Sequence, residues 1–355
     1  MPVSKPYIPS LEEYNIYLKD IWERKWLTNN GPLVRQLEQN VPIFLDSVPM
    51  SYVTNGTIAL QLALRALEIS GEVITTPYSY VATTSAILWE NCTPVFVDCK
   101  FDGNINEDLI EQAITSSTKA ILATHVYGFP CNVEKIQAIA VKFNLKVIYD
   151  AAHAFGVKFN EQSIFNYGDI STSSYHATKL FHTIEGGGIF SSNPDLIKQI
   201  NLLKSFGHVG DEHFILGING KQSELHAAMG LCVIKHVSRF IKERKLIYER
   251  YREVLSDKVE FVFNDDPRVS WNYAYAPIIL KNEEHVKETV IFFEENKINI
   301  RRYFYPSLNQ LPYLNSEKDL PVSNNLASRV VCLPIYNGMS ETEIQRVSNC
   351  IEKWL

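Results

Sequence analysis

Ala120-Ile121-Leu122-Ala123-Thr124, then Val133 through Phe143, then Lys146-Val147-Ile148-Tyr149-Asp150 together decide the fold. The first and last are nearly continuous apolar runs, short enough for strands, and the segment between them reads as a helix. Strands without polar alternation are buried on both faces. A helix between two of them is the crossover that parallel pairing requires. Asp150 stands out as an acid at the carboxyl end of an otherwise apolar strand.

The alternation extends outward in both directions. Upstream, Thr57 to Leu67 reads as a helix rich in Ala and Leu, and Glu72 to Thr76 as a strand. Ser79 to Trp89 is helical, Pro94 to Val97 extended and Asp108 to Ile114 helical again. Earlier still, Ser10-Leu11-Glu12-Glu13 is a capping-box pattern followed by Tyr14, Leu18 and Ile21 at helical spacing. Thr28-Asn29-Asn30-Gly31-Pro32 is the turn that ends this helix. Downstream, Asp169 to Phe190 is strand-like, turns through Glu185-Gly186-Gly187-Gly188 and resumes, and helices follow at about Lys221 to Val237 and Arg239 to Leu255. Past residue 256 the order is mixed, with strands at Val259 to Phe263, Tyr273 to Leu280 and Ile298 to Ile300 and helices at Glu283 to Asn296 and Glu341 to Lys353. The expectation is an α/β chain of two packed domains. Residues 1–237 form a large one on a mostly parallel sheet, with an N-terminal helical segment; residues 238–355 form a smaller α+β domain with a linking helix.

Composition removes several function classes. With 46% hydrophobic and 21% charged residues the 355-residue chain is neither disordered nor fibrous. Its 34 basic residues against 40 acidic ones give a net charge of −6, without the basic footprint of a nucleic-acid binder. No apolar run approaches the roughly 20 residues a membrane span needs. Met1-Pro2-Val3-Ser4-Lys5-Pro6 has no apolar core of a secretory signal, so a cytoplasmic location is expected. Cys92, Cys99, Cys131, Cys232, Cys332 and Cys350 are scattered, which fits buried small hydrophobes better than disulfides or a metal site.

Four segments can carry chemistry. Asn55-Gly56-Thr57 ahead of a helix offers backbone N–H groups and a hydroxyl to a phosphate, though alone it reads equally as a turn with an N-cap. Asp150-Ala151-Ala152-His153 sits where open α/β sheets bind ligands, and two alanines let a flat ring approach the acid; alone, Asp150 is also a turn cap. In Ser174-Tyr175-His176-Ala177-Thr178-Lys179 the lysine lies in an uncharged run. Desolvation there would make its amine a usable nucleophile toward an aldehyde, whereas at an edge it would be an ordinary surface lysine. The glycines of Glu185-Gly186-Gly187-Gly188 would let backbone come close to something planar. Tyr80 either stacks on a ring or fills the core. As a set in this order, they describe a site for pyridoxal 5′-phosphate: anion cradle, aromatic lid, carboxylate for the pyridine nitrogen, and lysine for the aldehyde.

On these motifs, and on Gly217-Ile218-Asn219-Gly220-Lys221-Gln222-Ser223-Glu224, the sequence resembles the DegT/StrS family of pyridoxal-phosphate-dependent sugar-nucleotide aminotransferases over nearly its whole length. The resemblance implies the aspartate-aminotransferase fold (fold type I). It places the cofactor lysine at Lys179, the pyridinium partner at Asp150, and the ring-hydroxyl contact at His153, where the family often has Gln. Phosphate contacts fall on Gly56, Thr57 and Ser174, and the stacking aromatic on Tyr80. Asn219 matches a residue that reaches the phosphate from the neighbouring subunit, which implies a homodimer with shared sites. The family's dehydratases carry histidine in place of the lysine, so Lys179 favours transamination, with L-glutamate as donor and ping-pong kinetics. The Pro2–Pro9, Trp26–Pro32 and Arg302–Pro306 stretches look like the branch that aminates dTDP-4-keto-6-deoxy-D-glucose at C4, for bacterial O-antigen lipopolysaccharide. Tyr303 and Tyr305 are then substrate contacts or simply buried aromatics. Enzymes that aminate C3 share most of these motifs and remain the alternative, with a deoxysugar dehydratase behind them.

Overall fold

The structure is a computed structural model that describes residues 1–314 and 318–354. Seven strands form its central sheet: β1 Met50–Val53, β2 Glu72–Thr75, β3 Thr93–Phe96, β4 Thr118–Thr124, β5 Lys146–Asp150, β6 Ile170–Ser174 and β7 Gly187–Phe190, in the spatial order β1-β7-β6-β5-β4-β2-β3. Pairing is parallel from β3 through β6, and β7 runs antiparallel to both its neighbours. Val147, Ile148 and Tyr149 are buried, as a strand covered on both faces requires. The covering helices are α1 Leu11–Arg24, α2 Pro32–Leu45, α3 Gly56–Ala66, α4 Ala82–Trp89, α5 Val133–Phe143, α6 Pro194–Leu203 and α7 Glu224–Val233.

The α1 cap is as the sequence implies, with Ser10 Oγ accepting from the Glu13 N–H at 3.2 Å. The next helix starts by a different device. α2 begins at Pro32 behind Gly31, which has no capping side chain. Its open N–H groups instead meet Glu224, a carboxylate 0% exposed and distant in sequence. Glu224 Oε2 accepts from Leu33 N at 3.0 Å and Oε1 from Val34 N at 2.9 Å, while Arg24 Nη1 donates to Oε2 at 3.2 Å. Glu224→Ala should therefore cost about 3 kcal/mol, because it leaves the buried N–H groups at the start of α2 without an acceptor, while Arg24 keeps its pairing with Asp20. A lower urea midpoint at unchanged slope is the measurement.

α8 Val237–Leu255 spans two cores. Val237 and Phe240 pack with the large sheet's residues, whereas Ile247, Tyr251 and Leu255 join a second cluster. That cluster lies on an antiparallel sheet of β8 Glu260–Phe261, β9 Pro277–Ile279 and β10 Val330–Cys332, in the order β8-β9-β10. α9 Glu283–Glu295, α10 Pro321–Arg329 and α11 Glu341–Trp354 complete this part.

Two expected elements differ. Asp108 to Ile114 is not an α-helix but two 3₁₀ turns, Glu107–Leu109 and Glu111–Ala113, since so short a segment gains little from α-helical bonding once nucleated. Ile298 to Ile300 forms no strand, and only the next residue, Arg301, makes an isolated bridge, to Cys332. No helix among the described residues is long and apolar enough to cross a membrane.

Candidate active site

The strand register brings the chemistry to one place. Asp150 at the end of β5 lies between Thr124 of β4 and Thr172 of β6, while Ser174 at the end of β6 pairs with Gly187, which also faces Val53 at the end of β1. The chain turns from β1 straight into α3, whose first residue is Gly56. A cavity of about 580 Å³ opens above these ends, a size typical of small-ligand sites. Gly56, Thr57, Tyr80, Asp150, His153, Ser174, Lys179 and Tyr303 all line it.

Asn219 and Tyr305 do not. Asn219 is exposed, on a stretch where Phe206, Phe214, Leu216 and Ile218 also face outward. Tyr305 is exposed as well, donating to Glu283 Oε1 at 2.9 Å with the Arg302 guanidinium over its ring. Tyr80 is 54% exposed at the cavity, which rules out the core-filling reading. The glycine turn has another purpose than expected. A Cβ on Gly187 would come within 2.5 Å of the Asn55 carbonyl oxygen, so Gly187 lets β7 close against the backbone that leads into α3. It approaches protein, not a planar ligand.

The α3 start lines the cavity with a geometry that can receive an anion. Asn55 Oδ1 accepts from Ile58 N at 2.9 Å, and the first N–H groups of the helix have no intrahelical partner. Ser174 stands directly behind, 2.8 Å from where a Gly56 Cβ would sit, so any larger residue at position 56 would displace the helix start.

Asp150 is nearly fully buried, and burial raises its pKa above the usual carboxylate range. Bonds from Thr83 and the Ala152 N–H, and the nearby Lys179 charge, oppose that rise. Thr83 Oγ1 donates to Oδ2 at 2.8 Å and Ala152 N to Oδ1 at 3.1 Å. Behind Thr83 the hydroxyls of Ser79 and Thr124 follow at 2.8 and 3.1 Å, a chain that can point its protons at the carboxylate and strengthen the last bond. Burial, helped by Lys179 and His125, pushes His153 far below the ordinary imidazole value, so its ring is neutral. The ring stacks on Phe304 at 5.4 Å, and its buried Nδ1 finds no partner among the described residues. Burial also lowers the Lys179 pKa, against the opposing pull of Tyr303, Asp150 and Tyr80. Lys179 Nζ donates to the Tyr275 hydroxyl at 3.2 Å.

Thr83, Tyr275 and Arg301 of this site escaped the sequence reading. The run Ser79-Tyr80-Val81-Ala82-Thr83-Thr84, dense in hydroxyls before an apolar helix, was a usable signal for the first. For the other two, nothing local in the sequence ties them to Lys179.

The sequence matches the model of the DegT/DnrJ/EryC1/StrS aminotransferase family over residues 10–352. The chain belongs to that family. It is 42% identical to a dTDP-4-amino-4,6-dideoxy-D-glucose transaminase of Escherichia coli, over 99% of this chain and 98% of that protein. It is 40% identical to the same transaminase of Shigella dysenteriae, again over 99% and 98%. Among solved structures, DesI in the presence of its TDP-sugar product superposes with a TM-score of 0.93 at 30% identity, covering 99% of this chain and 92% of that one.

The family's enzymes are pyridoxal 5′-phosphate aminotransferases, and the residues here fit that group. The orphaned His153 Nδ1, the open helix start at Gly56 and the cavity-lining carboxylate of Asp150 each answer one of its polar parts. When bound, the cofactor supplies an aldehyde and a ring that withdraws electrons from the carbon beside the amine. Gly56, Thr57 and Ser174 would hold its phosphate, Asp150 its pyridine nitrogen and His153 its ring hydroxyl. Lys179 contributes an amine whose pKa burial lowers, a shift toward the uncharged, nucleophilic form. Such an amine attacks a carbonyl and, once released, takes up and returns a proton at Nζ.

Proposed function

We propose that this chain transfers the amino group of L-glutamate to C4 of dTDP-4-keto-6-deoxy-D-glucose, giving dTDP-4-amino-4,6-dideoxy-D-glucose for a surface polysaccharide such as O-antigen. The observation that carries this reading is the end-to-end likeness, at 42 and 40% identity, to two transaminases of that name, together with a cavity lined by Lys179, Asp150 and His153. We assign Lys179 as the cofactor lysine, with Gly56, Thr57, Tyr80, Asp150, His153 and Ser174 around the cofactor and Tyr303 on the sugar side. Tyr303 lines the cavity, with its phenol pushed up to about 12 by burial and so protonated, ready to donate to a sugar hydroxyl or keto oxygen.

A homodimer with shared sites, in the cytoplasm, completes the proposal, with the chain divided into domains near residue 237. The exposed Phe206, Phe214, Leu216 and Ile218 around Asn219 support the dimer, since apolar side chains grouped at the surface favour a partner. In that dimer we assign the partner's Asn219 to the phosphate of this site, as the family resemblance implies. Incubation with the 4-keto sugar nucleotide and glutamate, followed by NMR of the product, is the test. An amine on C4 is expected; an amine on C3, from the 3-keto isomer alone, would replace the regiochemistry and keep the transamination.

A further inference from the structure

Arg244 on α8 is a guanidinium that the fold buries without an acid. It is 3% exposed, and among the described residues no carboxylate lies within 4.0 Å of it. Nε donates to Asn337 Oδ1 at 3.1 Å, and Asn337 in turn links to Glu243 at 3.3 Å. Nη1 donates to the Ala274 carbonyl, also at 3.1 Å. Burial brings this group down to about 10, still charged at neutral pH. A buried, acid-free charge is costly and is kept only where its hydrogen bonds achieve something.

What they achieve is to hold one short segment. Asn272 grips the same segment from the opposite side: its Nδ2 donates to the His153 carbonyl at 2.8 Å and the Phe155 carbonyl at 3.0 Å, while its Oδ1 accepts from Ala274 N at 3.1 Å. Between the two grips Tyr273 has φ +52°, a left-handed conformation that a bulky residue adopts only under constraint. The constrained segment presents Tyr275 to the cavity. Its ring meets His153 edge-on at 5.0 Å and Tyr303 at 5.5 Å, and its hydroxyl accepts from Lys179 Nζ at 3.2 Å.

We propose that Tyr275 is a positioning residue for Lys179: its hydroxyl receives the free Nζ and holds the amine inside the cavity whenever it is not bonded to the cofactor aldehyde, while Arg244 and Asn272 fix the segment that carries it. A lysine stem has several rotatable bonds, and an amine that wanders must find its geometry again at each half-reaction. The Tyr275 hydroxyl removes that search.

The inference rests on Lys179 being the cofactor lysine, so the test begins with wild-type protein, borohydride and peptide mapping. No adduct at Lys179 would refute that assignment itself. With the adduct in place, full-length Tyr275→Phe, stripped of cofactor, is mixed with pyridoxal 5′-phosphate and the absorbance change is followed by stopped flow. The variant keeps every ring contact and loses one oxygen. Capture of the aldehyde should slow about tenfold and kcat fall about tenfold, with KM for both substrates within about twofold of wild type, as expected for lost orientation. Arg244→Lys keeps the charge but loses the fork, should slow capture in the same sense by about threefold, and carries the test alone if Tyr275→Phe does not fold. Capture at the wild-type rate, or raised KM with kcat and capture intact, would overturn the proposal and leave Tyr275 a wall residue or a substrate contact.

Discussion

Lys179→Ala is expected to give a folded protein whose turnover is lower by about 10⁴-fold or more, because it removes at once the nucleophile and the group that moves the proton. The fold should survive for a physical reason. Among the described residues the side chain's one hydrogen bond is to Tyr275, and burial lowers the amine's pKa. A lysine whose folded pKa lies below its unfolded value opposes folding at every pH below the unfolded value, so at neutral pH its removal relieves a cost. The urea midpoint of the alanine variant should accordingly match or exceed that of the wild type. Lys179→Arg should be as inactive, since a guanidinium stays protonated and cannot attack an aldehyde. A variant retaining substantial turnover would contradict the role given to this residue.

Asp150→Asn should separate stability from function in the same way, by the opposite charge. Burial raises this carboxyl above its ordinary value. A carboxylate whose folded pKa is raised opposes folding fully above the raised value, and that cost shrinks as pH falls through it and is gone below the unfolded pKa. The asparagine variant without cofactor should therefore be at least as stable as wild type at pH 7, with the difference shrinking toward acid. Cofactor retention should move the other way and fall by about 10²–10³-fold, because a buried ring nitrogen loses the charge that keeps it protonated. Equilibrium dialysis and urea unfolding on the same preparations measure both. A variant that unfolds easily yet holds the cofactor normally would reverse the assignment, making Asp150 a structural group.

The two effects share a logic that also explains what the sequence could reveal. Strand ends were legible because burial on both faces leaves continuous apolar runs, and Asp150 interrupts such a run at its carboxyl end. α5 spans the same residues expected for it, Val133–Phe143, since its apolar spacing and Asn132 cap are local. α2 was not legible. Its start is satisfied by Glu224, its first residue is Pro32, and Pro42 within it reads as a breaker. β1, only Met50–Val53, has no alternation to announce it and exists as a strand because β7 pairs with it. The site shows the same division. Lys179, Asp150 and Gly56 lie in motifs whose chemistry is written in adjacent residues. Tyr275 and Arg244 reach the lysine only through the packing of α8 and the smaller sheet, and the glycine turn, read locally as room for a ligand, proves to be room for Asn55.

Reduction with borohydride in the presence of pyridoxal 5′-phosphate, followed by mass mapping of the peptides, asks most directly whether one buried amine organises all of this. The account predicts a single stable adduct, on the peptide containing Lys179. An adduct on any other lysine, or none on a folded protein that stays colourless with the cofactor, would contradict it.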